Sequence, residues 1–368
     1  MIYLDHAATT PVLPQAAEIA LEAMTVNYGN PSSLHAMGVR AAQYIHAASD
    51  RIARAVGCTP DCIIYTSGGT ASNALVFQSV LKRGGHIVST ALEHPSVTTQ
   101  LNAYKSKGFT LTIVPPTRSG GIDPEEFAAA LTADTVLVNC TAVCSENGSV
   151  PDTELLFTLA KERSPDAWVH CDAVQAFGKI ALPKLPHTLS ISGHKIGAPK
   201  GIGAIVMQNA ECRMQNLEPR GTENVSGIAA FGVAVDFVGA AFCRPCMIND
   251  AMGEPWAAEC RPYTDLKNYA LQQLRTIPNL TIIPPHEAPH IIAFALPPLP
   301  GEVLVRKLSD KGVYISSGTA CNKGKRQQLL VDMKLPPEIV TSALRISFGC
   351  GTMREDIDGL VKAIKEIK

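Results

Sequence analysis

Lys195 follows a histidine in SGHKIGAPKGIGA, residues 192–204, a stretch of glycine, alanine and proline that contains no acid. Such a lysine serves in one of two ways. Its ammonium reaches solvent on the flexible stem, or it is a desolvated amine that forms a Schiff base with a carbonyl. Three other places carry groups able to act with it. CIIYTS, residues 62–67, runs into Gly68, Gly69 and Thr70 and then a helical pattern. The free N–H groups of that helix start make an anion site suited to phosphate, or the glycines only serve packing. WVHCDAVQAFGK places Asp172 at the end of a nearly continuous apolar run, with Gln175 three residues on. A carboxylate there needs a partner, either a structural arginine or a protonated ring nitrogen of a cofactor. HIVSTALEHPSV puts His94 just after an apolar run, as a hydrogen-bonded structural residue or a catalytic one.

A lysine amine, an anion-binding helix start and a strand-end carboxylate together form the parts list for pyridoxal phosphate (PLP). A second cluster lies near the C-terminus. Cys321, in VYISSGTACNKGKRQQ, has serine, glycine, lysine and arginine around it, a polar and cationic setting in which a thiol can be accessible and partly ionised, or it is an incidental loop cysteine. Arg345, within the apolar run ALRISFG, needs an anion, and its fork suits a substrate carboxylate or a structural salt bridge.

These residues need a scaffold. From about Gly38 to Met207, apolar runs alternate with amphipathic helical patterns; the runs are CIIYTS, HIVST, FTLTIVP, TVLVNCTAV, WVHCDAV and AIVM. The alternation predicts an α/β fold whose mostly parallel sheet is covered by helices, with functional residues at the C-terminal ends of the strands. After about Pro245 shorter segments, among them HIIAFALPP, EVLVRKLSDKG and RISFG, predict a smaller α+β domain. The boundaries are 13–245 for the large domain and 1–12 with 246–368 for the small one.

Composition narrows the function. With 46% hydrophobic and 18% charged residues and a formal net charge of -1, the chain is of soluble globular type, and nothing steers it toward nucleic acid or a membrane. The 11 cysteines, without a signal-like N-terminus, point to reduced thiols in a cytoplasm. Cys243 and Cys246 form a CxxC without a second pair at zinc-ribbon spacing, so no metal is expected; Cys58, Cys62, Cys140 and Cys144 are expected as core thiols.

In order along the chain, YLDHAATTP, GNPSS, TSGGTASN, EHPSV, HCDAVQAFGK, SGHKIGAPKGIGA, RGTEN, SSGTAC and LRISFG resemble the cysteine desulfurases of the NifS/IscS type, which are class V aminotransferase-like, fold type I PLP enzymes. The resemblance implies conversion of L-cysteine to L-alanine by a homodimer that passes sulfur to an acceptor protein. It makes Lys195 the Schiff-base lysine, pairs Asp172 with the ring nitrogen and Gln175 with the phenolic oxygen, and stacks His94 on the ring. Gly69, Thr70, Ser192 and His194 would hold the phosphate, with Thr222 reaching it from the other subunit. Arg345 and Asn30 would bind the substrate carboxylate, and Cys321 would be the nucleophile. The chain departs from the pattern where Cys144 and Ser145 replace a pair of asparagines, which brings a shorter Ser145 to the substrate, and where Ala71 and Ala74 stand in the first phosphate helix. Another class V PLP enzyme, or a scaffold that kept the fold, is the rival reading.

Overall fold

In the computed structural model, residues 1–184, 186–208, 221–243, 261–318 and 327–367 are described. Cys321, Arg220, Cys246 and Cys260 lie outside them. The strands are β1 (Ile2–Tyr3), β2 (Ile63–Thr66), β3 (His86–Thr90), β4 (Thr110–Val114), β5 (Thr135–Thr141), β6 (Trp168–Asp172), β7 (Thr188–Ser192), β8 (Gly203–Met207), β9 (Thr281–Ile283), β10 (Ile291–Ala295), β11 (Val313–Tyr314) and β12 (Ala343–Ser347).

β2 to β8 form a seven-stranded sheet in the order β2-β8-β7-β6-β5-β3-β4. The pairs β3·β4, β3·β5, β5·β6 and β6·β7 are parallel, and only β8 runs against its neighbours β2 and β7. β2 therefore points the same way as β7. The C-terminal ends of β2, β3, β5, β6 and β7 all open on one edge, where an α/β sheet places its ligands. The expected mostly parallel sheet is present.

All six apolar runs became strands within a residue or two of their expected limits, AIVM as β8. β7, TLSIS, was not among them. Its serines and threonine break the apolar run, yet every residue is buried, because the strand lies between two others, with Thr188 and Ser190 hydrogen-bonded inside the protein. Among the described residues the core falls into one large and two smaller apolar clusters, and fully buried rings of the large one, such as Phe127, Phe157, Phe177 and Phe231, contribute about 2–3 kcal/mol each through area removed from water.

Three antiparallel strands, in the order β12-β10-β9, make a second sheet, and β1 pairs in parallel with β11. Beyond β1 the N-terminal segment continues along β12: Leu4 O accepts Ser347 N–H at 2.8 Å, and Ala7 N–H donates to Ser347 Oγ at 2.7 Å. The very apolar helix Val225–Cys243 packs against helices Pro14–Thr25 and Ala36–Val56, and its Asp236 pairs with Arg51 at 2.7 Å. No helix among the described residues is long and apolar enough to cross a membrane.

Candidate active site

The anion cradle is built from a strand, a glycine turn and a helix. β2 ends at Thr66, Gly68 takes φ 143°, and helix Gly69–Val80 begins. A side chain on Gly69 would meet Val174 Cγ2 at 2.5 Å, and one on Gly203 would meet Gly68 Cα at 2.7 Å, so both glycines are required for the turn to close against β6 and β8. The first amides of this helix, at Gly69 and Thr70, have no earlier turn to bond. Ser192, at the end of β7, brings its Oγ to 3.8 Å from where a Cβ on Gly68 would sit. That oxygen is buried and has no hydrogen-bond partner among the described residues.

Asp172 ends β6 and is buried. Its Oδ1 accepts Val174 N–H at 3.0 Å, and its Oδ2 accepts Asn73 Nδ2 at 2.8 Å. Asn73 is fully used: its amide also donates to Ser96 Oγ at 2.9 Å, while its Oδ1 accepts from His170 Nε2 at 3.0 Å. Ser96 in turn lies 2.9 Å from His94 Nδ1. A single asparagine thus ties the carboxylate to the histidine. His94 caps helix Pro95–Ser106, with Nδ1 accepting Ser96 N–H at 3.1 Å, which leaves the neutral ring's proton on Nε2. Burial holds its pKa below the ordinary value; Asp172 opposes that, and Lys195 and Arg345 reinforce it. One imidazole therefore senses all three charged groups.

Lys195 follows β7 directly. Its Nζ donates to Ala7 O at 2.5 Å and to Ala8 O at 2.8 Å, and Gln175 Nε2 donates to the same Ala7 O at 2.8 Å. His194 bonds Thr9 Oγ1 at 3.2 Å; burial, then Lys195, pushes its pKa down to about 4, so its ring is neutral at pH 7. The N-terminal segment is therefore part of the site. It also reaches Arg345, whose Nη2 pairs with Asp5 Oδ1 at 2.8 Å while Nη1 donates to Ser145 O at 2.6 Å.

Arg345 also fixes the start of the segment that carries Cys321. Ser316 N–H donates to Arg345 O at 3.1 Å, and Arg345 N–H donates to Ser316 O at 2.7 Å. Gln327 Nε2 bonds Ser317 O.

The structure thus brings Gly69, Thr70, Ser192, Asp172, His94, His194 and Lys195 to one sheet edge, with Gln175 and Arg345 joined to them through residues 5–8. Asn30 and Thr222 are exposed and make no hydrogen bond to this cluster among the described residues; Asn30 Oδ1 accepts Ser32 N–H instead. Ser145 is buried and contributes its carbonyl to Arg345. Cys144 sits in an apolar cluster with Leu92, Ile283 and Met333, and burial pushes its thiol up to about 12. Cys140 and Cys171 are likewise buried and raised, and among the described residues no His, Cys, Asp and Glu group could hold a metal ion. A cavity of about 330 Å³ borders Lys195 too, but Tyr3, His6, Lys179 and Cys350 line it while Asp172, His94 and Ser192 do not, so it is not this crevice.

The sequence reading missed Asn73, Asp5 and Glu93. Glu93 is buried beneath the site, with Oε1 accepting from Thr90 Oγ1 at 2.7 Å and from Thr141 N–H at 2.8 Å. The available signal was the rarity of a buried acid or amide without a partner.

Comparison with known proteins places this arrangement. The aminotransferase class-V family matches residues 2–227 and 219–360. The chain belongs to that family. It is 35% identical over its whole length to a NifS/IcsS protein homolog of Lactobacillus delbrueckii subsp. bulgaricus, covering 97% of that protein. It is 30% identical to a cysteine desulfurase IscS of Dictyoglomus turgidum, again over the whole chain and 94% of the relative. Among solved structures, a NifS-like protein superposes with a TM-score of 0.87 at 27% identity, over 100% of this chain and 98% of the other. The class V membership agrees with the resemblance carried by the motifs.

Proposed function

We propose that the chain is a PLP-dependent cysteine desulfurase, which takes L-cysteine, releases L-alanine and holds the sulfur as a persulfide on Cys321 for transfer to an acceptor protein. The observation that carries this reading is the convergence of Lys195, Asp172, His94 and the Gly68–Thr70 cradle on one strand edge, with Arg345 tied to the same group. The residues fit the cofactor. Ser192 Oγ is a buried hydroxyl without a partner among the described residues, beside open helix amides, as a phosphate group would require.

Gly69, Thr70, Ser192 and His194 would hold the phosphate, Asp172 the ring nitrogen, and Lys195 the carbonyl carbon. When bound, PLP supplies an electron sink that acidifies the substrate Cα and weakens its carbon–sulfur bond. The protein's groups do the rest. Asn73 and Val174 N–H fix the Asp172 carboxylate in one orientation, so its charge is aimed and not merely present. Lys195, an amine at the sheet edge, would take the Cα proton. Arg345 holds the carboxylate. Cys321 Sγ forms a bond to the substrate sulfur as the carbon–sulfur bond breaks, and the carbon side takes a proton to leave as alanine.

On the same reading, 13–245 is the cofactor-holding domain and 1–12 with 246–368 the smaller one, supported by the large sheet lying wholly in the first range and the small sheets in the second. A homodimer is supported by Leu21, Met24, Val26, Tyr28, Leu34 and Val39, exposed apolar side chains close together in sequence. Thr222 is assigned to the partner's phosphate, Asn30 to the substrate, and the setting to the cytoplasm with iron–sulfur cluster assembly or thiolated cofactors as the sulfur's use.

The test is alanine and sulfide formation from L-cysteine with a thiol reductant, comparing the PLP-loaded protein with Cys321→Ala. Turnover by the first and failure of the second is expected. Equal turnover by both would overturn the persulfide role and favour a class V lyase that needs Lys195 alone.

A further inference from the structure

Arg345 is buried, with 3% of its side chain exposed, and a guanidinium does not shed its proton to relieve that burial. It therefore keeps a counter-charge. Asp5 supplies it at 2.8 Å, and Asp5 is itself 20% exposed. The pair thus has a buried cation and an anion at the rim. The backbone around Asp5 is held, because Leu4 O and Ala7 N–H are both bonded to Ser347, so the Asp5 side chain is what is free to turn.

The donors of Arg345 are only partly used. Nη1 is on Ser145 O and Nη2 on Asp5, while Nε is buried and has no hydrogen-bond partner among the described residues. A carboxylate that takes Nε together with Nη2 would make the two-pronged pair for which the guanidinium is shaped. Nη2 carries two N–H groups, but a second carboxylate on this edge would lie against Asp5, and two like charges on one guanidinium repel, so the incoming anion competes with Asp5 for the cation. Glu146 is the other acid that Arg345 influences, but burial favours its neutral form, and its Oε2 has no partner among the described residues.

We propose that Asp5 is the resident counter-ion of Arg345, displaced by the carboxylate of an incoming small α-amino acid, so that this N-terminal residue sets how tightly carboxylate-bearing ligands bind. The inference rests on the reading of Arg345 as the carboxylate clamp. Before binding, Asp5 neutralises the buried cation. On binding, it turns to solvent, and its loss of contact is subtracted from the ligand's affinity. An amine without a carboxylate has no reason to displace it.

Calorimetric titration of the PLP-loaded protein with L-alanine and with ethylamine tests this directly. Asp5→Asn removes the charge at nearly constant shape, and Asp5→Ser removes the carboxylate altogether. Both are expected to bind L-alanine roughly fivefold or more tightly than wild type, the scale of one competing charge-assisted hydrogen bond. Ethylamine affinity should be unchanged. Alanine binding that is unchanged or weaker in a variant with a native circular dichroism spectrum overturns the proposal. So does failure of both variants to fold, since Asp5 would then be a fixed structural partner. A separate Arg345→Gln variant isolates the underlying reading: if it binds L-alanine as wild type does, Arg345 is not the carboxylate clamp at all.

Discussion

Asp172 and Arg345 are both charged, buried and carried on strands, yet their surroundings differ in kind. Asp172 is held by neutral donors, Asn73 Nδ2 and Val174 N–H, and the asparagine is anchored in turn by Ser96 and His170. Every partner belongs to the large sheet or to helices packed on it, and none of those side chains can leave without orphaning another. Arg345 is held by a carbonyl and by one rim carboxylate. The first arrangement suits a group that stays through many turnovers. The second suits one that arrives and leaves each time.

The strongest way to break this contrast is Asp172→Asn. It should lower kcat/KM with L-cysteine on the order of a thousandfold, the scale of removing one partner of a buried charge, and should alter the absorption band of the bound cofactor. An effect no larger than that of Asp5→Asn on the same ratio would show that the two regions are not different in kind.

A smaller effect locates a pH signature on the Asp172 side. Burial raises the Glu93 pKa from 4.5 to about 7. The folded value lies above the unfolded one, so the contribution to stability is present below about 4.5 and is lost as pH rises through 7. Urea unfolding at pH 5 and pH 8 should show the stability of wild type falling relative to Glu93→Gln by about 3 kcal/mol at most. A constant difference between the two proteins would mean that Glu93 titrates normally.

Asn73→Ala sharpens the comparison further. It leaves Asp172 Oδ2 without its partner and His170 Nε2 with only Ser190 Oγ at 3.3 Å, and should cost about 1–3 kcal/mol of stability and roughly tenfold in kcat with little change in KM. Asn73→Asp, which cannot donate to Asp172, should not restore kcat. Full activity in either variant would show that Asp172 needs no fixed orientation.

Much of this was legible in the residues. Continuous apolar runs marked strands because parallel strands are buried on both faces, and Lys195, Asp172, His94 and the glycine turn were found from chemistry placed at the ends of those runs. β7 was not found that way, since TLSIS alternates polar and apolar residues and its burial depends on neighbours on both sides. Asn73 looked like an ordinary helix residue, because its partners at 96, 170 and 172 come from other elements. Asp5 was the least accessible of all. It meets Arg345 across 340 residues, and no local pattern encodes such a meeting.

That separation also orders the events of synthesis. Every strand of the seven-stranded sheet is complete by Met207, so the cofactor-side scaffold is able to assemble while the rest of the chain is still being made. The N-terminal segment must wait for β11 and β12 before Ile2, Leu4 and Asp5 find their partners. Closing so long a loop is slow and comes last. A nascent chain therefore has neither the Asp5–Arg345 pair nor its N-terminal segment anchored on Ser347 until translation is nearly over.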